Sequence, residues 1–514
     1  MANVILVSDT TTSQTLTNSG DFYYLAEGVT HYSTQSTTVS TAGNLSDLEF
    51  LVHGVLLHLG SSGEAIDLTS AGLSNVTVTI SATGSIDANA DWRAVYSAAN
   101  NLTVINHGRI QSTEAINSSG SNAKIFNFGT LVQENPTALV NAPLISLSGI
   151  NTEIVNSGSI LAQFGFKLLD GGKITNTGEI STTHNGITNL GVNAENLTLI
   201  NAGIFTSGTT VFQGSSSARD LVTNTGTMVG AMDFAGAADR LDNSGTIQGA
   251  VTFGNAVDTV VNSGEMIGDI ALNGDDDNFV NTGLVIGTVD LGADADTYSG
   301  RGLGLVSEQV LGGTGDDTLR GGDQGDDLDG GNDDDLVVGL SGDDTLEGGA
   351  GNDTVLGGAG SDSLRGNSGA DVINGQDGND TLIGGSGDDR LFGGQGNDDI
   401  TAGTGADILR GGGGDDVFVF NSVDETGTGA FRDRIIGFED GADRIDLSAF
   451  IDLTFSASGA ALGDGTASVW FEAVSVGAQT MLRIDIDGDG AFDGQILLVR
   501  SNLALFDQSD LILG

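Results

Sequence analysis

Twelve consecutive nine-residue units run from Gly312 to Val419, and each carries Asp at its sixth position. The series is Asp317, Asp326, Asp335, Asp344, Asp353, Asp362, Asp371, Asp380, Asp389, Asp398, Asp407 and Asp416. Two positions after each Asp stands an apolar residue: Leu319, Leu328, Val337, Leu346, Val355, Leu364, Ile373, Leu382, Leu391, Ile400, Leu409 or Phe418. Gly fills the first position in eleven units and the fourth in ten. A flexible Gly/Asp-rich linker has no reason to hold one register for 108 residues while keeping an apolar residue in phase. The pattern predicts a parallel β-roll in which two units complete one coil.

Each unit divides into a turn of about six residues and a strand of about three. The turn requires positive φ, which Gly reaches without steric cost, and bare glycine turns leave their carbonyls close together. Asp then stacks over the Asp 18 residues later. Calcium is a hard ion that takes 6–8 oxygens, so stacked carboxylates and glycine carbonyls suit it. The expected ligands are the twelve Asp residues together with Gly313, Gly315, Gly342, Gly349, Gly351, Gly358, Gly360, Gly369, Gly378, Gly385, Gly387, Gly394, Gly396, Gly405 and Gly414. Gln324 and Asp333 replace the fourth-position Gly, while Leu340, Asn367 and Gln376 replace the second. The turns around 321–335 are therefore expected to bind calcium poorly or in altered geometry.

These units resemble the repeats of RTX proteins, which Gram-negative bacteria export through type I ABC transporters. The stretch Phe431-Arg-Asp-Arg-Ile-Ile-Gly-Phe-Glu-Asp440 and its continuation to Phe450 resemble the region that follows the repeats in serralysin-type exported proteins. The terminal Phe506-Asp-Gln-Ser-Asp-Leu-Ile-Leu-Gly514, acidic then apolar, resembles their uncleaved secretion signals. The resemblance implies an extracellular, secreted protein, surface-associated or free, whose partner is the type I ABC secretion apparatus. Physically, the roll's open apolar end needs a cover, which Val417, Phe418, Val419 and Phe420 begin.

Charge fits this reading. The chain has 69 acidic against 17 basic residues, a formal charge of −52, which argues against nucleic acid as a partner. Between 312 and 419 there are 24 acidic and 4 basic residues. Without metal that density repels itself; with calcium it is neutralised, so ion binding and folding are expected as one event. The roll would stay extended in calcium-poor cytosol and fold outside the cell. There are no cysteines, hence neither disulfides nor thiolate metal sites. The start, Met1-Ala-Asn-Val-Ile-Leu-Val-Ser-Asp-Thr10, lacks the basic region and long apolar run of a signal peptide. No run of 18 or more apolar residues predicts a transmembrane segment.

A second repeat, Asn-x-Gly-x-(apolar), occupies the first 300 residues. It occurs at Asn106, Asn127, Asn156, Asn176, Asn201, Asn224, Asn243, Asn262 and Asn281, with spacings that settle to 19. A period near 20 with few prolines (only Pro136 and Pro143) predicts a parallel β-helix with a stacked Asn ladder. The pattern resembles pectate-lyase-like helices and autotransporter or filamentous adhesin passengers. Asp239, Asp258, Asp277 and Asp296 form a further column 19 apart, read as solvated turn carboxylates, with calcium binding in this column as the alternative. The fold expected is an all-β solenoid: 1–60 an N-terminal cap, 61–310 a parallel β-helix, 311–419 the calcium roll, 420–514 a β-rich cap with a secretion signal. The coil is expected to shorten from 19 to 18 residues near position 310.

Asp485, Asp487, Asp489 and Asp493 are a secondary calcium candidate. Their spacing opens like an EF-hand loop, but Ile496 stands where its closing Glu belongs. Enzymatic signals are sparse. There is no His-Glu-x-x-His protease motif, no Gly-x-Ser-x-Gly elbow and no Asp-Pro-His motif of RTX epimerases. His107 is expected at the surface, and the pairs Asp91/Arg93 and Asp170/Lys173 are the nearest catalytic candidates. The sequence therefore predicts a non-enzymatic adhesive, matrix or surface-layer solenoid that presents Ser, Thr and Asn to glycans or a cell surface. The alternatives are a polysaccharide lyase or epimerase built on the β-helix, and a toxin or bacteriocin-like effector.

Overall fold

A computed structural model describes residues 4–7, 14–16, 22–33, 39–42, 45–58, 64–70, 72–88, 93–133, 142–189, 196–426, 432–439, 441–450, 453–456, 460–463, 465–473, 479–499 and 508–513. Among them all regular structure is β, apart from short 3-10 turns at Val423–Glu425 and Gln508–Asp510. The chain forms two compact units, Met1–Asn273 and Gly274–Gly514, and each is a parallel β-solenoid.

In the first unit, each Asn-x-Gly-x-(apolar) motif sits at the corner between two strands. The Asn ends one strand and the apolar residue opens the core face of the next. Ile110, Leu131, Ile160, Ile180, Phe205, Met228, Ile247 and Met266 stack in register along the coils. All eight are buried. Gly is required at the corner because the coils approach closely there: a Cβ on Gly129 would collide with the Gly108 carbonyl oxygen of the coil before.

The expected ladder is present. The Asn106 side-chain amide donates to Asn127 Oδ1 at 2.8 Å, and the chain of donations continues through Asn156, Asn176, Asn201, Asn224 and Asn243 to Asn262. Its steps of 21, 29, 20, 25, 23, 19 and 19 residues show that coil length varies while the Asn corner stays fixed. Residues 1–60, expected as a cap, already run in such coils where described. Val4–Val7 pairs with Phe22–Leu25, which pairs with Ser46–Val52, which pairs with Ser74–Ile80, all parallel. The repeat there lacks its marker: Leu25, Val52 and Ile80 stand in register with Asn106, where the ladder begins.

The second unit contains the passage from long coil to roll. Asp277 and Asp296 are one 19-residue coil apart, Asp296 and Asp317 are 21 apart, and Asp317 and Asp335 are 18 apart. The coil thus lengthens once before it shortens. Within the roll the eighth-position apolar residues form two columns. One runs from Leu319 to Leu409 and ends on Ile435; the other runs from Leu328 to Phe418 and ends on Ile445. Beyond the repeats, Asp433–Ile436 and Arg444–Leu447 add one more coil. Antiparallel strands Ser468–Ala473, Gln479–Asp485 and Gly494–Val499 then close the end, and Leu511–Leu513 pairs with Arg444–Leu447.

Candidate metal centre

The twelve repeat Asp residues fall into two columns, one along each edge of the roll. In the first, Asp317, Asp335, Asp353, Asp371, Asp389 and Asp407 each donate their backbone N–H to Oδ1 of the next member, ending at Asp433. In the second, Asp326, Asp344, Asp362, Asp380, Asp398 and Asp416 do the same, ending at Asp443. These bonds span 2.7–3.2 Å. Asp433 and Asp443 were missed in the sequence because they lie 26 and 27 residues on, outside the nonapeptide period. Their signal was the same Asp-x-apolar beat, Asp433-x-Ile435 and Asp443-x-Ile445.

One oxygen of each carboxylate is therefore used by the backbone. The other, Oδ2, is buried without a protein donor at Asp317, Asp335, Asp344, Asp353, Asp362, Asp371, Asp380, Asp389, Asp398, Asp407, Asp416 and Asp433. Such repetition of an unmet buried acceptor is rare in a folded protein and points to a missing partner. A second observation locates it. A Cβ on Gly330 would meet both Asp335 Oδ2 and the Gly348 carbonyl oxygen, and Gly339 stands in the same relation to Asp344 and Gly357. Carboxylate and carbonyl oxygens thus converge on a space kept clear by the first-position glycine. An all-oxygen donor set without nitrogen or sulfur fits a hard divalent cation.

Every glycine expected as a ligand, from Gly313 to Gly414, takes positive φ. Leu340, Asn367 and Gln376, the second-position departures, adopt the same turn at φ of 82°, 77° and 79°. Asp333 does so at the fourth position, φ 77°. Of the turns around 321–335, that of Asp335 keeps an open Oδ2 like the rest, and that of Asp326 differs. There Oδ2 accepts the Gly322 N–H at 2.7 Å, so Asp326 lacks the buried open Oδ2 of its neighbours. At Asp443 both oxygens are used, Oδ1 by the Asp416 N–H and Oδ2 by the Glu439 N–H. The second column is capped at both ends.

Burial pushes these carboxyls up, and neighbouring carboxylates push most of them further. Asp335 rises to about 8, Asp389 and Asp398 to about 7, and Asp317, Asp344, Asp353, Asp380 and Asp407 to about 6. Asp326 rises to about 6 from burial alone. A carboxyl that titrates higher folded than unfolded stabilises the fold while protonated. That contribution is complete below its unfolded value near 3.9 and is lost as pH rises through about 6 to 8. At neutral pH the ion-free roll works against its own charge.

The other site expectations divide. Asp239, Asp258, Asp277 and Asp296 are not solvated: all four are at most 2% exposed. They point inward because each of Asp239, Asp258 and Asp296 accepts a backbone N–H from the adjoining coil of its own unit. Asp485, Asp487 and Asp493 bring carboxylate oxygens within 4.8 Å of one another, while Asp489 stays outside the group. Asp489 instead accepts the Ala491 N–H. Asp91 lies outside the described residues, and Arg93 is held by Glu114 and Glu64. Asp170 and Lys173 do line one cleft of 540 Å³, with Lys124 and Glu153. His107 is exposed and stacks on Phe128, with ring centroids 4.8 Å apart.

Comparison with known proteins agrees with this geometry in the roll. Overlapping stretches 307–337, 329–364, 356–391, 365–400 and 392–422 match the RTX calcium-binding nonapeptide repeat (4 copies). No curated protein matches the chain. Among solved structures, the chain is similar to the AlgE6R2 and AlgE6R3 subunits of the Azotobacter vinelandii mannuronan C5-epimerase, at 24% and 28% identity. Each covers 31% of this chain, and 91% and 77% of the respective subunit, with a TM-score of 0.20. No helix among the described residues is long and apolar enough to cross a membrane.

Proposed function

We propose that this is a secreted calcium-binding protein whose acidic roll folds when it meets calcium outside the cell. The observation that carries it is the double row of buried Asp Oδ2 atoms that face carbonyl oxygens and no donor. Asp335, Asp353, Asp371 and their counterparts across the roll would hold the ions, together with the carbonyls of the turn glycines. Bound calcium supplies charge neutralisation to a segment with 24 acidic and 4 basic residues. Magnesium is a poor substitute, since it demands tight octahedral geometry and keeps its waters.

In this reading the chain is exported through a type I ABC apparatus in the unfolded, calcium-free state, supported by the resemblance of 431–450 and 506–514 to serralysin-type exported proteins. After folding, the chain acts as a non-enzymatic structural or adhesive solenoid, toward glycans or a cell surface. Circular dichroism of the purified chain during calcium titration tests the first part. β-Structure should grow cooperatively with calcium and not with magnesium, and a spectrum indifferent to calcium would overturn it.

A second reading, a polysaccharide lyase or epimerase, is favoured by one observation: the cleft that joins Asp170 and Lys173 to Lys124 and Glu153. Cleavage or epimerisation of acidic polysaccharide by the calcium-loaded chain, lost in Lys173→Ala, would replace the adhesive reading.

A further inference from the structure

Three short strands of the first unit, Ile145–Leu147, Phe166–Leu168 and Ile187–Asn189, stack in parallel beside a cleft of about 420 Å³. The wall of the cleft is aromatic. Phe164 and His184, on consecutive coils, stack with ring centroids 4.8 Å apart, the spacing of neighbouring strands. Gly165 and Gly186 permit that approach, since a Cβ on Gly165 would collide with the Gly186 carbonyl oxygen. Pro143 continues the wall on the coil before. Stacking alone does not mark a site, because His107 and Phe128 stack at an exposed corner as well. What sets this pair apart is how it is held and what stands beside it.

Both residues are anchored through their backbone. Gln133 Oε1 accepts the N–H groups of Gln163 and Phe164 at 2.7 and 3.0 Å, and the Gln133 amide donates in turn to the Thr113 and Ala142 carbonyls. The His184 carbonyl accepts the Thr182 hydroxyl at 3.1 Å and the Ser207 hydroxyl. The Thr183 hydroxyl lies 3.1 Å from Nδ1 of the His184 ring. A surface held this way loses little freedom when it takes a ligand. Beside it, Lys167 stands on the outer face, since Phe166 and Leu168 on either side point into the core. The chain has only three lysines against 69 acidic residues. Lys124 pairs with Glu153, whereas Lys167 forms no ion pair with a described residue. Thr188 lies in register beside Lys167. Asn185 Oδ1 accepts the Thr209 hydroxyl at 3.0 Å, which leaves its amide N–H groups to donate.

An apolar wall, one cation and two neutral hydrogen-bonding groups define the ligand. A bare phosphate has no use for the rings, and a neutral apolar molecule has none for Lys167. A uronate residue in its pyranose form carries both halves. It has a face of C–H bonds that suits the negative face of an aromatic ring, a carboxylate for the ammonium, and hydroxyls for Asn185 and Thr188. We propose that this cleft binds a uronate residue of an acidic polysaccharide, with the sugar face on Phe164 and His184 and the carboxylate on Lys167. The site names a ligand for the glycan-directed reading, on which it rests. It is separate from the cleft of Asp170 and Lys173, whose Lys124, Glu153 and Lys173 belong to strands of the other sheet.

The test is titration calorimetry of the calcium-loaded full chain with hexamers of galacturonate and of glucuronate, and with a galactose hexamer as neutral control. At least one acidic hexamer should bind, and the neutral one should bind at least tenfold more weakly. Lys167→Gln keeps the stem and removes the charge, and should weaken the acidic hexamer roughly tenfold. Phe164→Ala should abolish measurable binding. Acidic binding that survives both substitutions overturns this site and leaves the glycan-directed reading standing; a parent chain that binds no hexamer at millimolar concentration overturns both. Equal affinity for acidic and neutral hexamers refutes the carboxylate contact. Should Phe164→Ala fold poorly, Lys167→Gln, whose side chain lies on the outer face, still decides.

Discussion

The Asn ladder of the first unit and the Asp columns of the second solve one geometric problem with opposite chemistry. Both stack a short polar side chain at the same corner of every coil. Asn offers a donor and an acceptor, so each ladder member satisfies the next and the row closes on itself; Asn127 donates to Asn156 at 2.7 Å and receives from Asn106 at 2.8 Å. Ionised Asp offers acceptors only, so the backbone fills one oxygen and leaves the other open, as at Asp353 and Asp371. The neutral ladder needs no ligand between its members, and only Oδ1 of its first member, Asn106, is left without a donor. The charged ladder is complete only with a ligand.

The largest effect expected from that contrast is on calcium removal. With chelator present, hydrogen exchange followed by mass spectrometry should show amides of 312–419 losing protection while the strands that flank Asn106–Asn262 keep theirs. Equal loss in both would break the comparison. Next in size is pH. In chelator, the roll should gain protection as pH falls from 8 toward 4, because the raised carboxyls of Asp335, Asp389 and Asp398 become protonated. The Asn ladder should not respond over that range.

Single substitutions sharpen the contrast further. Asp371→Asn removes one charge from an open site and should weaken calcium binding roughly tenfold at the sites it borders, read by titration calorimetry. Asn176→Ala leaves the Asn156 amide only its longer bonds to the Gly158 and Glu179 carbonyls and removes the Asn176 donor to Asn201 Oδ1, and should cost about 1–3 kcal/mol in urea denaturation irrespective of calcium. The smallest effect is predicted for Asp326→Asn. Its Oδ2 already has the Gly322 N–H, so calcium affinity should shift less than in Asp371→Asn. A larger shift would show that Asp326 rearranges to bind an ion.

Much of the site was legible because period and chemistry coincide in the nonapeptide. An Asp every nine residues and an apolar residue two further on can be stacked in few ways; of the two altered turns, at Gln324 and Asp333, only the first holds an Asp whose Oδ2 takes a backbone N–H. What stayed hidden depends on contacts between residues far apart. Asp433 and Asp443 end the columns only because the chain returns after 26 and 27 residues. The burial of Asp239 and Asp296 likewise follows from amides supplied by an adjoining coil.

By itself, then, the sequence determined the solenoid, its two repeats and the acidic chemistry of the roll, since these follow from local period and side-chain type. The tertiary structure decided which carboxylate oxygens remain open and where each column starts and stops. Those depend on which backbone N–H comes to rest beside which side chain, and that is set by coil length and register, which a linear pattern does not encode.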